Sequence, residues 1–362
     1  MKKSIFTPSI LALFIASTAH AGAKFTTDSG TLTVGADIRY SVGSETNRNT
    51  LADSGNAVSD GRVILKINGE KVLENNNFVA FSLNPAWKQY GEPKPYDMYL
   101  QFGVKKDWNI KVGRQKAINL SPNDTSSSDQ DSYVYIPISK TMVYRADIAR
   151  GRLSSTGDDG QYTFTKVVNK TTQFQLAVQS LDKGATIIAR PVVTHNFEKG
   201  SIAVGLEAPI MSSDEVGTET FMTANDNFYN DITKNQIVDD GSAWIGTGIT
   251  GTYKMTNDLQ IVARAAYLID DRIKSNKATS YAAGLGARYK NFYLGAIHGV
   301  RNTEIDANDT EEWDVYSYYE FPNILTIENF NIFLGAGYSS SKVNKVSQSD
   351  IIGSKVTLKY TF

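Results

Sequence analysis

The chain contains no cysteine, so its fold must be stable without disulfide bonds even in an oxidising compartment. It also lacks an excess of charge of either sign, because 37 basic residues stand against 38 acidic ones. This balance gives no indication of a nucleic-acid partner. Proline is scarce, at 9 residues, whereas 19 tyrosines and 16 phenylalanines are present. Soluble β-sandwiches and membrane β-barrels can both have this composition, so the pattern of the strands must decide between them.

Residues 1–21 have the pattern of a secretory signal peptide. A basic start precedes an apolar stretch over 5–15, and Ala19-His20-Ala21 provides the small residues that signal peptidase recognises. The apolar stretch is shorter than the roughly 20 residues that a membrane-spanning helix needs. The sequence therefore predicts a signal peptide over 1–21, cleaved after Ala21, and a single mature domain over 22–362.

Apolar and polar residues alternate along many segments of the mature chain. Over 31–42, every second residue is Leu, Val, Ala, Ile or Tyr, and the residues between them are Thr, Gly, Asp, Arg or Ser. Similar alternation occurs over 173–179, 259–269 and 281–289. A period of two predicts β-strands. Strands of about ten residues with one apolar and one polar face are typical of outer-membrane barrels, in which the apolar face meets lipid.

Short and long connections alternate between the predicted strands. Connections such as 105–107 and 290–291 are short, and seven others are longer. The longer connections span roughly 43–60, 86–95, 116–160, 211–241, 271–278, 301–311 and 340–350. This alternation predicts an all-β fold, a single transmembrane antiparallel β-barrel of about 16 strands, with 14 to 18 allowed, and with both termini on the periplasmic side. The last segment, 356–362, alternates strictly and ends in Phe362, like the closing strand of such barrels.

No motif predicts catalysis or a cofactor. Gly246–Gly251 matches G-x-G-x-x-G, but an alternating strand follows it where a dinucleotide site needs a helix. His195 and His298 stand alone in strand patterns, without a second ligand at metal spacing. No G-x-S-x-G elbow is present. We therefore predict no catalytic residue, no bound metal and no cofactor, with an outer-membrane enzyme or an adhesin that uses its outer loops as the alternatives.

Residues 102–115 read as a strand, a tight turn and a second strand that ends in Gly113-Arg114-Gln115, and a long loop rich in Asn, Asp and Ser follows. This segment resembles the general porins of Gram-negative bacteria, in which a similar strand leads into a loop that folds into the lumen and narrows it. The resemblance implies an outer-membrane channel for passive diffusion of small hydrophilic solutes or oligosaccharides, and a homotrimer. The porins that this chain resembles include the oligosaccharide and cyclodextrin porins. Strict alternation places Arg114 on the lipid face, which requires either a bulge or a position at the lipid headgroups.

The resemblance also implies a constriction between opposite charges. Its acidic side would be the loop residues Asp124, Asp129 and Asp131, and Arg145 resembles an arginine that porins place at the constriction. Alternation places five further basic residues on the inward face, namely Arg39, Arg62, Lys66, Arg264 and Arg288. Tyrosines are the candidate sugar contacts, since aromatic rings can stack on sugar rings. They are the inward-facing Tyr99, Tyr316 and Tyr318 and the loop residues Tyr133 and Tyr135.

Overall fold

A computed structural model of the chain describes residues 22–28, 30–45, 56–89, 94–118, 120, 161–181, 186–212, 244–270, 277–304, 309–347 and 350–362. Within these residues the structure is almost entirely β-sheet, as predicted. The strands are β1 Ala23–Thr27, β2 Gly30–Glu45, β3 Asn56–Val72, β4 Asn77–Lys88, β5 Lys94–Val104, β6 Trp108–Arg114, β7 Gln161–Val167, β8 Thr172–Leu181, β9 Thr186–Phe197, β10 Gly200–Ser212, β11 Trp244–Lys254, β12 Leu259–Asp270, β13 Ala278–Tyr289, β14 Phe292–Thr303, β15 Thr310–Phe321, β16 Phe330–Val343, β17 Val346–Ser347 and β18 Ile351–Thr361. One 3-10 turn, Ile324–Thr326, precedes β16. No helix in the described part of the chain has the length and hydropathy to cross a membrane.

The sheet closes on itself. Each strand from β2 to β16 pairs antiparallel with the next one along the chain, and β18 pairs with β16 on one side and with β2 on the other. β17 is a two-residue bridge beside the end of β16, and β1 folds back on β2 as a short hairpin. The prediction of a closed antiparallel barrel with about 16 strands is therefore confirmed, since β2 to β16 and β18 are the sixteen strands of the wall.

The first and the last described strands meet at the seam of the barrel. β18 pairs with β2 over Asp37–Glu45, and β1 pairs with the same edge of β2 over Gly30–Val34. Between them, Phe362 exchanges two main-chain hydrogen bonds with Ala36, at 2.8 and 3.1 Å. β1 and β18 thus lie end to end and together complete one edge of β2. The terminal strand predicted from its alternation is the strand that closes the barrel.

The two faces of the wall have the polarity that the alternation predicts. On β2, the outward-facing Tyr40 and Val42 are 44% and 49% exposed, whereas the inward-facing Asp37 and Ser41 are 5% and 6% exposed. A protein in water shows the opposite distribution, with apolar side chains inside. An apolar outer surface around a polar interior is stable when the outer surface meets lipid.

Arg114 is on the outward face, as the alternation predicts. The pairing of β5 with β6 runs without interruption from Val104 opposite Trp108 to Met98 opposite Arg114, so a bulge does not reset the register. Arg114 is the last residue of β6, at the end away from the three-residue turn 105–107. The pairing with β5 therefore excludes the bulge, and Arg114 stands at the end of its strand, from which a long side chain can extend its charge along the wall.

The close contact at the seam predicts that a side chain at position 35 destabilises the barrel. A Cβ atom built on Gly35 would lie 2.2 Å from the main-chain oxygen of Phe362, so an alanine forces Phe362 away from β2. We expect Gly35→Ala to destabilise the folded barrel by about 1–3 kcal/mol, the usual cost of overpacking. Denaturant titration of the detergent-solubilised barrel, followed by its heat-dependent mobility on gels, measures this change.

Gly251→Ala is the matched control. The nearest atoms to a Cβ at Gly251 are main-chain oxygens at 3.8 and 3.9 Å, which is ordinary contact. This variant should be as stable as the unaltered chain. Equal stability of the Gly35 and Gly251 variants would show that the contact between Phe362 and β2 is not needed for closure.

Candidate functional site

The structure places the predicted inward-facing residues on two separate parts of the wall. Arg39 lies opposite Arg62 in the pairing of β2 with β3, and Lys66 follows on the same face of β3. Arg264 and Arg288 face inward on β12 and β13, several strands away. The five residues thus do not form one cluster. The predicted partners in the long loop, Asp124, Asp129, Asp131 and Arg145, lie outside the described residues, and so do Tyr133 and Tyr135.

A group of cations surrounds one carboxylate beside the seam. Asp37 Oδ1 lies 3.0 Å from Arg39 Nε and 3.7 Å from Arg62 Nη2, and Asp37 Oδ2 lies 3.8 Å from Lys359 Nζ. Lys355 faces inward on β18, four residues before Lys359. It interacts electrostatically with Asp60, Arg39 and Arg62. We call Arg39, Arg62, Lys355 and Lys359 the basic strip.

The basic strip carries a net positive charge among the residues described. Its four cations face two carboxylates, Asp37 and Asp60, so the difference is 4 − 2 = +2. Charges on low-dielectric walls focus the field into the lumen, where it acts on passing ions and dipoles. The four cations lie on strands of the barrel wall, so the position of their positive charge in the channel is fixed.

Lys355 and Lys359 were not among the predicted site residues. Their strand pattern contained the necessary signal, because Val356, Leu358 and Tyr360 on the lipid face leave both lysines on the other face. Alternation does not show that β18 lies next to β2. Only the closure of the barrel brings Lys359 opposite Arg39.

The inward tyrosines already have partners on their rings. Lys111 Nζ lies 4.8 Å from the ring centroid of Tyr99. Tyr318 lies under the Arg288 guanidinium, at 5.7 Å, and its hydroxyl accepts a hydrogen bond from Arg288 Nη2. Tyr293 stacks on Tyr318 at 5.2 Å between ring centroids. These contacts are cation–π and aromatic pairs that fix the rings against the wall.

Glycines on the inner wall provide space for this tyrosine cluster. A Cβ atom at Gly286 would lie 2.1 Å from the hydroxyl of Tyr293, and one at Gly295 would lie 2.6 Å from the ring of Tyr316. Tyr316 is only 2% exposed. Gly246–Gly251 likewise lies within strand β11, so the glycine motif belongs to the wall, as predicted from its sequence context.

The segment that follows β6 turns into the barrel. Leu120 is fully buried and packs with inward-facing residues of β9, β10 and β12. The residues of this cluster are Ile188, Val192, Ala203, Ala266 and Leu268, with Ile118 packed beside them. The described beginning of the predicted constriction loop therefore lies inside the lumen. The remainder of that loop, from 121 to 160, lies outside the described residues.

These features define an outer-membrane β-barrel channel, with an apolar belt, a charged inner wall and a chain segment that enters the lumen. A family model described as porin-like glycoporin RafY matches residues 31–362. The chain belongs to this family, and it is a channel for passive diffusion. No sequence among curated proteins matches it.

Solved structures with a similar fold include outer-membrane proteins and porins. OmpT of Vibrio cholerae aligns with a TM-score of 0.63 and 12% identity over 94% of this chain and 100% of its own. The anion-selective porin from Comamonas acidovorans aligns with a TM-score of 0.58 and 9% identity over 92% and 100%. The outer-membrane channel DcaP of Acinetobacter baumannii gives 0.57 and 13% over 95% and 100%. At these identities the likeness is one of fold.

The basic strip generates a prediction about ion selectivity. Asp37→Asn removes a negative charge that three cations share. We expect the anion-to-cation permeability ratio to rise by roughly twofold, because the field of the strip is less compensated. Reversal potentials in a salt gradient across a planar bilayer measure the ratio. Replacing Arg39 and Arg62 by glutamine should shift the ratio the other way.

Asp258→Asn is the control for this change. Asp258 lies in the short turn between β11 and β12, where it pairs with Lys290 at 3.8 Å, outside the lumen. It should leave the permeability ratio unchanged. If the Asp37 variant behaves like the Asp258 variant, the strip does not face the path of the ions.

Proposed function

We propose that the channel sorts small hydrophilic solutes by charge, without catalysis and without energy coupling. The basic strip beside the seam carries this proposal. Its four cations outnumber the two carboxylates beside them, Asp37 and Asp60, so the strip attracts anions and repels cations. Solutes pass by diffusion, and the wall changes their local concentration and orientation.

The second side of the proposed filter is the long loop. Its described root, Gln115–Ile118 and Leu120, enters the lumen, which supports a path for the rest of the loop across the channel. Asp129 or Asp131 would then face the arginines of the basic strip, with Asp124 and Arg145 nearby. Acidic and basic walls across a narrow opening create a transverse field that orders water and orients dipolar solutes.

A saccharide channel is the second candidate, and the description of the family as glycoporin favours it. Sugar rings need exposed aromatic faces on which to stack. Tyr316 and Tyr318 are buried, so their rings have little exposed surface on which a sugar could stack. Tyr99 is more accessible, although Lys111 covers part of its ring, and Tyr133 and Tyr135 in the loop complete the proposed sugar path.

Planar-bilayer recordings test both candidates. A channel that sorts by charge should give ohmic steps, an ion preference that changes when the basic strip is neutralised, and currents that neutral oligosaccharides leave unblocked. A saccharide channel should give currents that oligosaccharides block at rising concentration. A purified, folded barrel that gives no current steps in any salt would contradict both candidates and would favour an outer-membrane enzyme or an adhesin.

We also propose that the mature protein begins at Gly22 and assembles as a homotrimer in the outer membrane. The first described strand begins at Ala23, the second residue after the proposed cleavage site, and a trimer form of the similar Vibrio cholerae OmpT is known. N-terminal sequencing of the outer-membrane fraction should read Gly22 first. Retention of residues 1–21 would overturn the cleavage, and a monomer in cross-linking of intact membranes would overturn the trimer.

A further inference from the structure

The inner wall carries an apolar patch where a water-filled channel would favour polar residues. Ile188 and Val192 of β9, Ala203 of β10, and Ala266 and Leu268 of β12 all face inward and are buried. Apolar surface in contact with water is unfavourable, so the patch needs a cover. Leu120 provides one, because its side chain is 0% exposed and packs into the patch.

Polar side chains of the same wall bind the main chain beside Leu120. The Ile118 N–H donates a hydrogen bond to Gln175 Oε1 at 2.8 Å, and the Ile118 carbonyl accepts one from Arg190 Nη2 at 2.7 Å. Both main-chain polar groups of this loop residue are thus bound to the wall. Neither has to be left unpaired as the segment enters the barrel.

Arg190 is itself held in place by a carboxylate. Arg190 Nε lies 3.8 Å from Glu207 Oε2, and both side chains are 0% exposed. A buried cation without its counterion is strongly unfavourable, so Glu207 compensates the charge of Arg190 beside the loop root. The pair lies on β9 and β10, two of the three strands that form the apolar patch.

We propose that Gln175, Arg190 and Glu207, together with the apolar patch, form a clamp that fixes the root of the inward loop. The clamp rests on the proposed function, and it extends it by naming the wall residues that keep the channel width constant. They act as positioning residues, because they hold the loop against the wall on the side of β8 to β12. The open channel then has one stable conductance, and loosening the clamp lets the loop change position.

Leu120→Ala tests the clamp by electrical recording. Removing most of the side chain leaves the patch uncovered, and we expect the fraction of time spent away from the main conductance level to rise by at least about tenfold. Leu285→Ala is the matched control. Leu285 faces lipid on β13 and is 63% exposed, so its current should be as steady as that of the unaltered channel.

A second variant pair tests the geometry without relying on conduction. An ideal Cβ at Gly205 lies 2.5 Å from Leu120 Cδ1, and the natural chain has no cysteine. The double variant Leu120→Cys with Gly205→Cys should therefore form a disulfide on oxidation, seen as a reducible mobility shift of the unfolded chain. Leu120→Cys with Gly251→Cys should form none, because Gly251 lies on the outward face of β11.

The outcomes separate the clamp from the channel. A disulfide at 120–205 together with an unsteady Leu120→Ala current supports the clamp. A folded Leu120→Ala channel with the steady current of the Leu285→Ala control, or equal cross-linking of the two cysteine pairs, overturns it. A disulfide at 120–205 in a barrel that carries no current leaves the loop root in place and overturns the proposed function, and with it the role of the clamp in setting channel width.

Discussion

Main-chain hydrogen bonding in lipid is the constraint on which the whole molecule depends. An N–H or C=O group within the hydrocarbon has no water to bind, so a sheet there must have no free edge. Here β2 would have one free edge, on the side away from β3, and two separate strands cover that edge. β18 covers its outer part and β1 covers the part beyond Phe362. Closure therefore depends on β1 and β18 meeting on one edge of β2, where the main-chain oxygen of Phe362 occupies the space that a side chain at position 35 would need.

The same closure reverses the usual roles of inside and outside. The lipid belt takes the apolar residues, and the lumen takes residues that soluble proteins place on their surface. Against this background, an apolar patch on the inner wall marks a place where something other than water is bound. The loop root covers that patch with Leu120 and binds Gln175 and Arg190 through its main chain. The polar and the apolar contacts thus place the segment at the same position on the wall.

Alternation predicted the fold and the face of each described site residue, because a period of two is a local property of a strand. It placed Arg39, Arg62 and Tyr99 inward correctly. It could not predict which inward residues are neighbours, since that depends on register around the whole barrel. The contact of Lys359 with Asp37 joins the last described strand to β2. The apolar patch that Leu120 covers is formed by three strands that are distant from Leu120 in sequence. Periodicity holds no information of that kind.

The inner wall carries both aromatic rings and charged side chains, and the two have different roles. A ring can stack on a sugar only with a free face, but Tyr293, Tyr316 and Tyr318 stack on one another over glycines. Their faces stabilise the wall. Cations act at a distance, so the basic strip influences solutes even while Asp37 holds its side chains in place. If the channel sorts solutes as proposed, the excess of cations in the basic strip acts more strongly on ions than on neutral sugars. Any preference for saccharides would then have to arise in the loop, where Tyr133 and Tyr135 stand in the sequence.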